Sequence, residues 1–460
     1  MVPPNSKYGA RLPKAMLWPE RVRNMAIKLP KSLDNYFGVT QAGSSLRVEV
    51  FAGLSTFLAL SYIFVVNPAV LSAAGIGKSA IFFATVVGSV IATLAMGLWA
   101  NKPFAVAPGL EMNAYVAYVV VATMGFAWQD AMGAVFWSGV LTVALNYTRV
   151  RVKIIEAIPD ALKSGLAAAV GVFLMLVALK VSGLIVYQGV NFSAIGSLTS
   201  KGAILFYIGI VLVIMFRYFK VTGAVLLSII GASIAAHFIG VVNSIDPITL
   251  SKSMLSATLA LHFNVLFNPR IWATIIILFV LDFYGSIAKF IGLTRNTSIV
   301  APDGTLPKLQ EALTVDGLGT VLGASLGTSN LITFVESAVG IGEGGRTGIT
   351  AIVCAVLMAL FLALTPLINL VPVAATTGAL LYVGLTLLPK KHEWKSYLKV
   401  ELLAVLIMIG VTFWTFALDR AMFAGFAVVL IGYLMFNRKR VNLYLIGSTV
   451  ILLVSILLSR

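Results

Sequence analysis

The sequence predicts an all-α polytopic membrane protein. Three observations predict it: the composition, apolar runs that recur along the whole chain, and an internal repeat whose copies run in opposite directions. Of 460 residues, 59% are hydrophobic and 11% charged, where a soluble domain carries about 25% charged residues. The apolar runs are long enough to cross a hydrocarbon core of roughly 30 Å. Lipid offers the backbone no hydrogen-bond partners, so such runs are helices or a closed barrel. A barrel would show segments of alternating polarity, about ten residues each, and the sequence lacks them.

Taken in order, residues 1–45 are polar and basic, with Arg11, Lys14, Arg21, Arg23, Lys28 and Lys31. They read as a cytoplasmic arm with no signal peptide. Apolar spans follow near 48–68, 80–100, 131–147, 161–180, 202–216, 222–242, 271–293, 347–370, 373–389, 399–417, 421–436 and 441–459. Two further stretches, 104–122 and 331–343, are apolar but broken by glycine, proline and an acid. A short Gly-rich run from Asp316 to Thr328 precedes the second. The count is about fourteen or fifteen helical elements, with two spans or three in the last sixty residues.

The net charge of +16 sits in loops: Arg149, Arg151 and Lys153; Arg217 and Lys220; Lys390, Lys391 and Lys395; Arg438, Lys439 and Arg440. Basic loops between apolar spans face the cytoplasm. The charge therefore reads as membrane topology, with the N-terminus inside a plasma membrane, and not as a nucleic-acid surface. The single cysteine, Cys354, excludes a disulfide within the chain.

The repeat is visible in IPDALKSGLAAAVGVFL from Ile158 and VPVAATTGALLYVGLTL from Val371. Pro159 and Pro372, Gly165 and Gly378, and Gly171 and Gly384 match at one offset (372 − 159 = 213). Each copy follows a broken segment. With basic loops inside, the first copy begins inside and the second ends inside, so the copies are inverted. An inverted repeat with one interrupted helix per half marks secondary transporters and points to their site.

In the first break, NKPFAVAPGLEMNAYVAYVV, Phe104 to Ala107 reads as extended and Pro108 as a first helical turn. In the second, SNLITFVESAVGIG, Leu331 to Val335 is β-branched and aromatic, and a short helix starts near Glu336. Extended backbone at membrane depth must be buried in protein or line a cavity. Two such strands, one from each half, can satisfy each other by pairing. Each short helix then brings free amides and a positive dipole end to the middle of the bilayer. Asp282, inside IIILFVLDFYGSIAKFIGL, is a mid-span acid and so marks a path for substrate or ion. Asp282, Glu336 and Asn113 are the polar side chains expected to converge. Phe104, Phe334 and Phe283 are the aromatic candidates beside them.

PGLEMNAYVAY, LDFYGS, GTSNLITFVESAVGIGEGGRTG and RVEVFAGLSTFLALSYIFVVNP resemble the nucleobase–ascorbate transporter superfamily. The resemblance is closest to the adenine/guanine/hypoxanthine permease (AzgA-like) branch and covers roughly residues 37 to 436. It implies about fourteen transmembrane helices in two inverted seven-helix repeats, with short strands in broken third and tenth helices. It implies a core domain (46–150 and 246–370), a gate domain (151–245 and 371–460), elevator-type movement between them, and a homodimer. It implies proton-coupled import of a purine nucleobase: adenine, guanine, hypoxanthine or xanthine. Mapped by motif, the binding residues fall on Asn113, Asp282 and Glu336. Two positions depart from the branch. Glu111 stands where glycine is usual, and Phe283 and Tyr284 precede Gly285 and Ser286.

On this reading Glu336 accepts N–H donors of the base, with Asp282 beside it. Two close carboxylates in low dielectric share a proton, which makes them the coupling pair. Structural roles stand beside these: Glu336 as a helix cap, Asp282 as a partner of Lys289, Asn113 as a bridge between helices, Phe283 as packing. Glu111 is two positions from Asn113 and faces largely away from it; pairing with a neighbouring helix and a role in the site stand equally open for it. Glu343 and Arg346 read as a local ion pair or hinge. No metal spacing, phosphate-binding loop or nucleophile–base pair is present, so neither cofactor nor enzymatic activity is expected. The alternatives are a uracil or other nucleobase permease, sodium as the coupling ion, and an anion carrier of the sulfate or bicarbonate type, which two acids disfavour.

Overall fold

A computed structural model describes residues 30–148, 158–188, 191–221, 223–241, 252–294, 297, 299, 306–364, 370–389, 394 and 397–458. The basic residues of 1–29, Arg149, Arg151, Lys153, Lys390, Lys391 and Lys395 lie outside the described residues, as does the side chain of Tyr284.

In the first half, α1 (Lys31–Phe37) precedes α2 (Leu46–Leu60), α3 (Ile63–Leu71) and α4 (Lys78–Leu98). Ser45 starts α2 by accepting from the Val48 amide at 3.4 Å. Next come strand β1 (Val106–Pro108), the short α5 (Leu110–Ala114), a π-helical stretch (Tyr115–Val121) and α6 (Trp128–Tyr147). Then follow α7 (Asp160–Val181), a hairpin of β2 (Ile185–Gln188) and β3 (Asn191–Ile195), α8 (Lys201–Tyr218) and α9 (Ala224–Phe238).

The second half holds α10 (Pro269–Thr294), α11 (Leu309–Leu326), β4 (Leu331–Thr333), α12 (Ser337–Gly342), α13 (Gly348–Leu360) and α14 (Thr377–Thr386). It ends in α15 (Lys399–Thr415), α16 (Leu418–Phe436) and α17 (Leu443–Leu458). The last stretch therefore holds three helices. Leu46–Ala74, Lys78–Leu98, Asp160–Val181 and Lys201–Tyr218 are each long and apolar enough to span a membrane, and shorter apolar helices accompany them.

The structure corrects one local expectation and adds detail at two other places. Pro108 closes β1 and does not open the helix; the helix begins at Leu110. The Gly-rich run from Asp316 is the second half of an 18-residue helix. Glycine is a poor helix former, but here it permits contact. A Cβ on Gly319 would lie 2.5 Å from the Leu331 carbonyl oxygen, and one on Gly323 would lie 2.0 Å from that of Ser329. Packing against β4 thus overrides propensity. The β2–β3 hairpin had no counterpart in the helical reading.

The helices pack in two groups. One holds α2, α3, α4, α6, α10, α11, α12 and α13; the other holds α7, α8, α9, α14, α15 and α16. Each group draws on both halves of the sequence. In the second group α7 meets α14, its partner in the repeat. A Cβ on Gly171 would lie 2.5 Å from the Gly384 carbonyl oxygen, and one on Gly384 would lie 2.5 Å from that of Gly171. Repeat-related residues that touch each other lie on the local two-fold axis. The glycines remove the side chains that would hold the two helices apart there.

Candidate functional site

The first group carries a second junction between the halves. β1 and β4 pair antiparallel, Val106 opposite Thr333, Ala107 opposite Ile332 and Pro108 opposite Leu331. The pairing runs on past both strands. The Phe334 amide donates to the Ala105 carbonyl at 2.9 Å, and the Gly109 amide donates to the Asn330 carbonyl at 3.1 Å. The Ala105 amide donates to the Ser337 hydroxyl at 3.0 Å.

A two-stranded ladder leaves two outer edges, which must be satisfied at membrane depth. Thr93 of α4 serves one: its hydroxyl accepts from the Val106 amide at 2.9 Å and donates to the Val106 carbonyl at 3.0 Å. Asp316 of α11 serves the other. It accepts from the Thr333 amide at 3.1 Å and from the Thr333 hydroxyl at 2.8 Å.

The short helices leave this ladder carrying the charged residues. Glu336 stands at the N-cap of α12 but makes no side-chain capping bond. Its carboxylate instead accepts from the Tyr62 hydroxyl, at the α2–α3 break, at 2.7 Å. Glu111, in the first turn of α5, is ion-paired to Lys289 of α10 at 3.1 Å, with side chains 18% and 15% exposed. Both members of this pair lie close enough to act on the Glu336 charge.

Asp282 is buried in a different setting. Its carboxylate accepts from the Asn330 amide at 3.1 Å and from the Thr320 and Thr142 hydroxyls at 3.2 and 3.4 Å. Asp282 and Lys289 are two turns apart on one face of α10, so their Cα atoms differ by about 10 Å along the axis. Lys289 pairs with Glu111, which gives Glu111 the partner on a neighbouring helix that its position suggested. Between Asp282 and Lys289 on that face lies Ser286, whose buried hydroxyl oxygen has no hydrogen-bond partner among the described residues.

Asn113 donates its side-chain amide to Asn67. Asn67 in turn donates to the Thr85 and Thr328 hydroxyls at 2.7 and 2.9 Å. This is a bridge between helices, yet the buried Asn113 Oδ1 remains without a partner among the described residues. The aromatic candidates are all buried. Phe104 packs on Phe290 at 5.4 Å and Phe283 on Phe279 at 5.2 Å between ring centroids. The Arg346 guanidinium donates to the Ile341 and Gly345 carbonyls at 2.6 and 2.8 Å, while its backbone amide donates to buried Glu49 at 3.0 Å. It ties the end of the short helix to α2.

Sequence reasoning overlooked Tyr62 and Asp316. Tyr62 lies inside the distinctive LSYIFVVNP string, and Asp316 is an acid in an otherwise apolar helix, the same signal that singled out Asp282.

Two interrupted elements that cross between repeat halves, with charged groups gathered where they cross, define a multi-pass membrane transporter. The sequence profile of the xanthine/uracil-type permease family matches residues 47–389. The chain belongs to this family, the nucleobase–ascorbate transporters. It is 36% identical over 355 residues to a putative permease of Methanocaldococcus jannaschii, covering 77% of this chain and 81% of that one. It is 34% identical to the adenine permease AdeP of Escherichia coli, covering 76% and 79%. It is 32% identical to the guanine/hypoxanthine permease PbuO of Bacillus subtilis, covering 76% and 82%. Among solved structures, the transmembrane domain of the cyanobacterial bicarbonate transporter BicA superposes with a TM-score of 0.60 at 16% identity, covering 83% of this chain and 97% of that one. Murine Slc26a9, an anion transporter, gives 0.64 at 12% identity, covering 90% and 73%. These two share the fold.

Proposed function

We propose that this protein imports purine nucleobases as a proton symporter in the plasma membrane, with its N-terminus in the cytoplasm. The observation that carries the reading is Glu336: an acid at the start of a short helix, beside paired strands from both halves, held by the Tyr62 hydroxyl. Its carboxylate accepts N–H donors of the base and carries the coupled proton. Tyr62 donates to it, and Glu111 and Lys289 are the charged side chains nearby. Asp282, Asn113 and the buried rings of Phe104, Phe334 and Phe283 complete the frame around the site. Asp282 acts on coupling through Asn330, whose backbone carbonyl also binds Gly109 at the start of the first short helix.

The core (46–150 and 246–370) carries the base across by moving against the gate (151–245 and 371–460) within a homodimer. Adenine and guanine/hypoxanthine permeases among the relatives support a purine cargo. The fold shared with anion transporters does not select an anion, because two carboxylates near the crossing repel one.

Uptake by the purified protein in proteoliposomes tests the proposal. Labelled hypoxanthine and adenine should accumulate under an inward proton gradient, and accumulation should collapse with a protonophore and persist when sodium is removed. Sulfate, bicarbonate and uracil should compete poorly. Sodium-dependent accumulation that ignores the protonophore would reject proton coupling.

A further inference from the structure

The Glu111–Lys289 pair bridges the first short helix and α10, and both groups act on Glu336. Lys289 donates one N–H to Glu111. Its remaining ammonium hydrogens meet no acceptor among the described residues. An ammonium has three donors, so a partly buried lysine with donors to spare asks for an oxygen or ring nitrogen from outside the protein. An orphaned buried oxygen points the same way: Ser286 Oγ lies one turn from Lys289 on the same face of α10. Buried polar atoms without partners mark places where water or ligand completes the bonding.

We propose that Glu111 and Lys289 form the second wall of the substrate site and select the base by its edge. Lys289 donates to a ring carbonyl oxygen while Glu336 accepts from the neighbouring ring N–H. This is the lactam edge of a 6-oxopurine: hypoxanthine, guanine or xanthine. Glu111 holds the ammonium in place. A 6-aminopurine presents its donor and acceptor in the reverse order along the same edge. It must turn over to meet the same two side chains, which sends its imidazole ring to the other side of the pocket. A carbonyl facing an ammonium gains a charge-assisted bond, whereas an exocyclic amine facing it gains none.

The inference rests on the nucleobase reading and deepens it. Equilibrium binding of hypoxanthine and adenine to the full-length purified protein tests it, with melting temperature as the control for folding. Wild-type protein should favour hypoxanthine by about tenfold or more, and Lys289→Gln should erase that preference by weakening hypoxanthine more than adenine. Because Lys289→Gln strands Glu111, a second variant keeps the ion pair: Glu111→Lys with Lys289→Glu. Under the proposal this swap melts like wild type but loses the preference, since the ammonium now sits on the wrong helix. A merely structural pair would return wild-type selectivity in the swap, and that result overturns the proposal. Wild-type protein that binds adenine as well as hypoxanthine overturns this inference alone. Wild-type protein that binds neither overturns the nucleobase reading along with it.

Discussion

Asp282 and Glu336 are both acids in apolar surroundings, and the protein treats them in opposite ways. Asp282 is enclosed by three side-chain donors from α6, α11 and the loop before β4. Glu336 has one hydroxyl partner and charged neighbours that belong to other elements. Both carboxylates answer the cost of taking a charge out of water, one by saturation and the other by staying addressable. A saturated acid holds a frame together. An addressable one is left to bind something that comes and goes.

The sharpest way to break this contrast is to remove each acid in turn. Asp282→Ala leaves the buried Asn330 amide without its acceptor, while the Thr320 and Thr142 hydroxyls fall back on the Asp316 and Ser138 carbonyls; it should cost about 3 kcal/mol of stability, read as a large drop in melting temperature in detergent. Glu336→Gln should melt close to wild type, because the amide oxygen still accepts from Tyr62. It should nonetheless weaken base binding by about 2–3 kcal/mol, roughly 100-fold by isothermal titration. If the two phenotypes exchanged places, the division between frame and site would be wrong.

Milder changes sharpen the same contrast. Thr320→Val takes one donor of several from Asp282 and should lower stability by about 1 kcal/mol with base affinity unchanged. Tyr62→Phe takes the side-chain donor from Glu336 and should alter base affinity by roughly tenfold with little change in melting.

The smallest effect lies far from both acids. The Thr40 hydroxyl and amide donate to Asp34 at 2.7 and 3.0 Å and hold its carboxyl below the ordinary range. A depressed value in the folded state means that the contribution is present above the ordinary carboxylate range and is lost as pH falls through the lowered value. Protection factors for amide exchange across residues 31–43, corrected for the intrinsic pH dependence, should fall in acid, and Asp34→Asn should remove that fall while leaving base binding intact.

Much of this architecture was legible in the residues. Apolar length placed the long helices, because lipid leaves the backbone no other choice. The two breaks were legible because proline, glycine and an acid together cannot continue an apolar helix, and the pairing of the two extended segments followed from their need for partners. The burial of Asp282 followed from its mid-span position. Its partners did not, because Thr142, Thr320 and Asn330 come from three separate parts of the chain and look unremarkable in each. The full extent of the helix from Leu309 was not legible for a related reason. Glycine content argues locally against a helix, and only the approach of β4 explains why Gly319 and Gly323 belong in one. The pairing of Glu111 with Lys289 joins positions 178 residues apart, a separation no local pattern spans.

The crossing of β1 and β4 has a consequence for how such a chain is made. Among the described residues neither strand has a partner strand within its own half, and Thr93 and Asp316 each secure only the outer margin of the strand in their own half. Half a protein therefore has an unfinished seam, and translation of the N-terminal portion must leave β1 waiting in the bilayer until its mate arrives. Two fragments cut between α9 and α10 and produced together should find each other and regain uptake, whereas either one alone should be degraded.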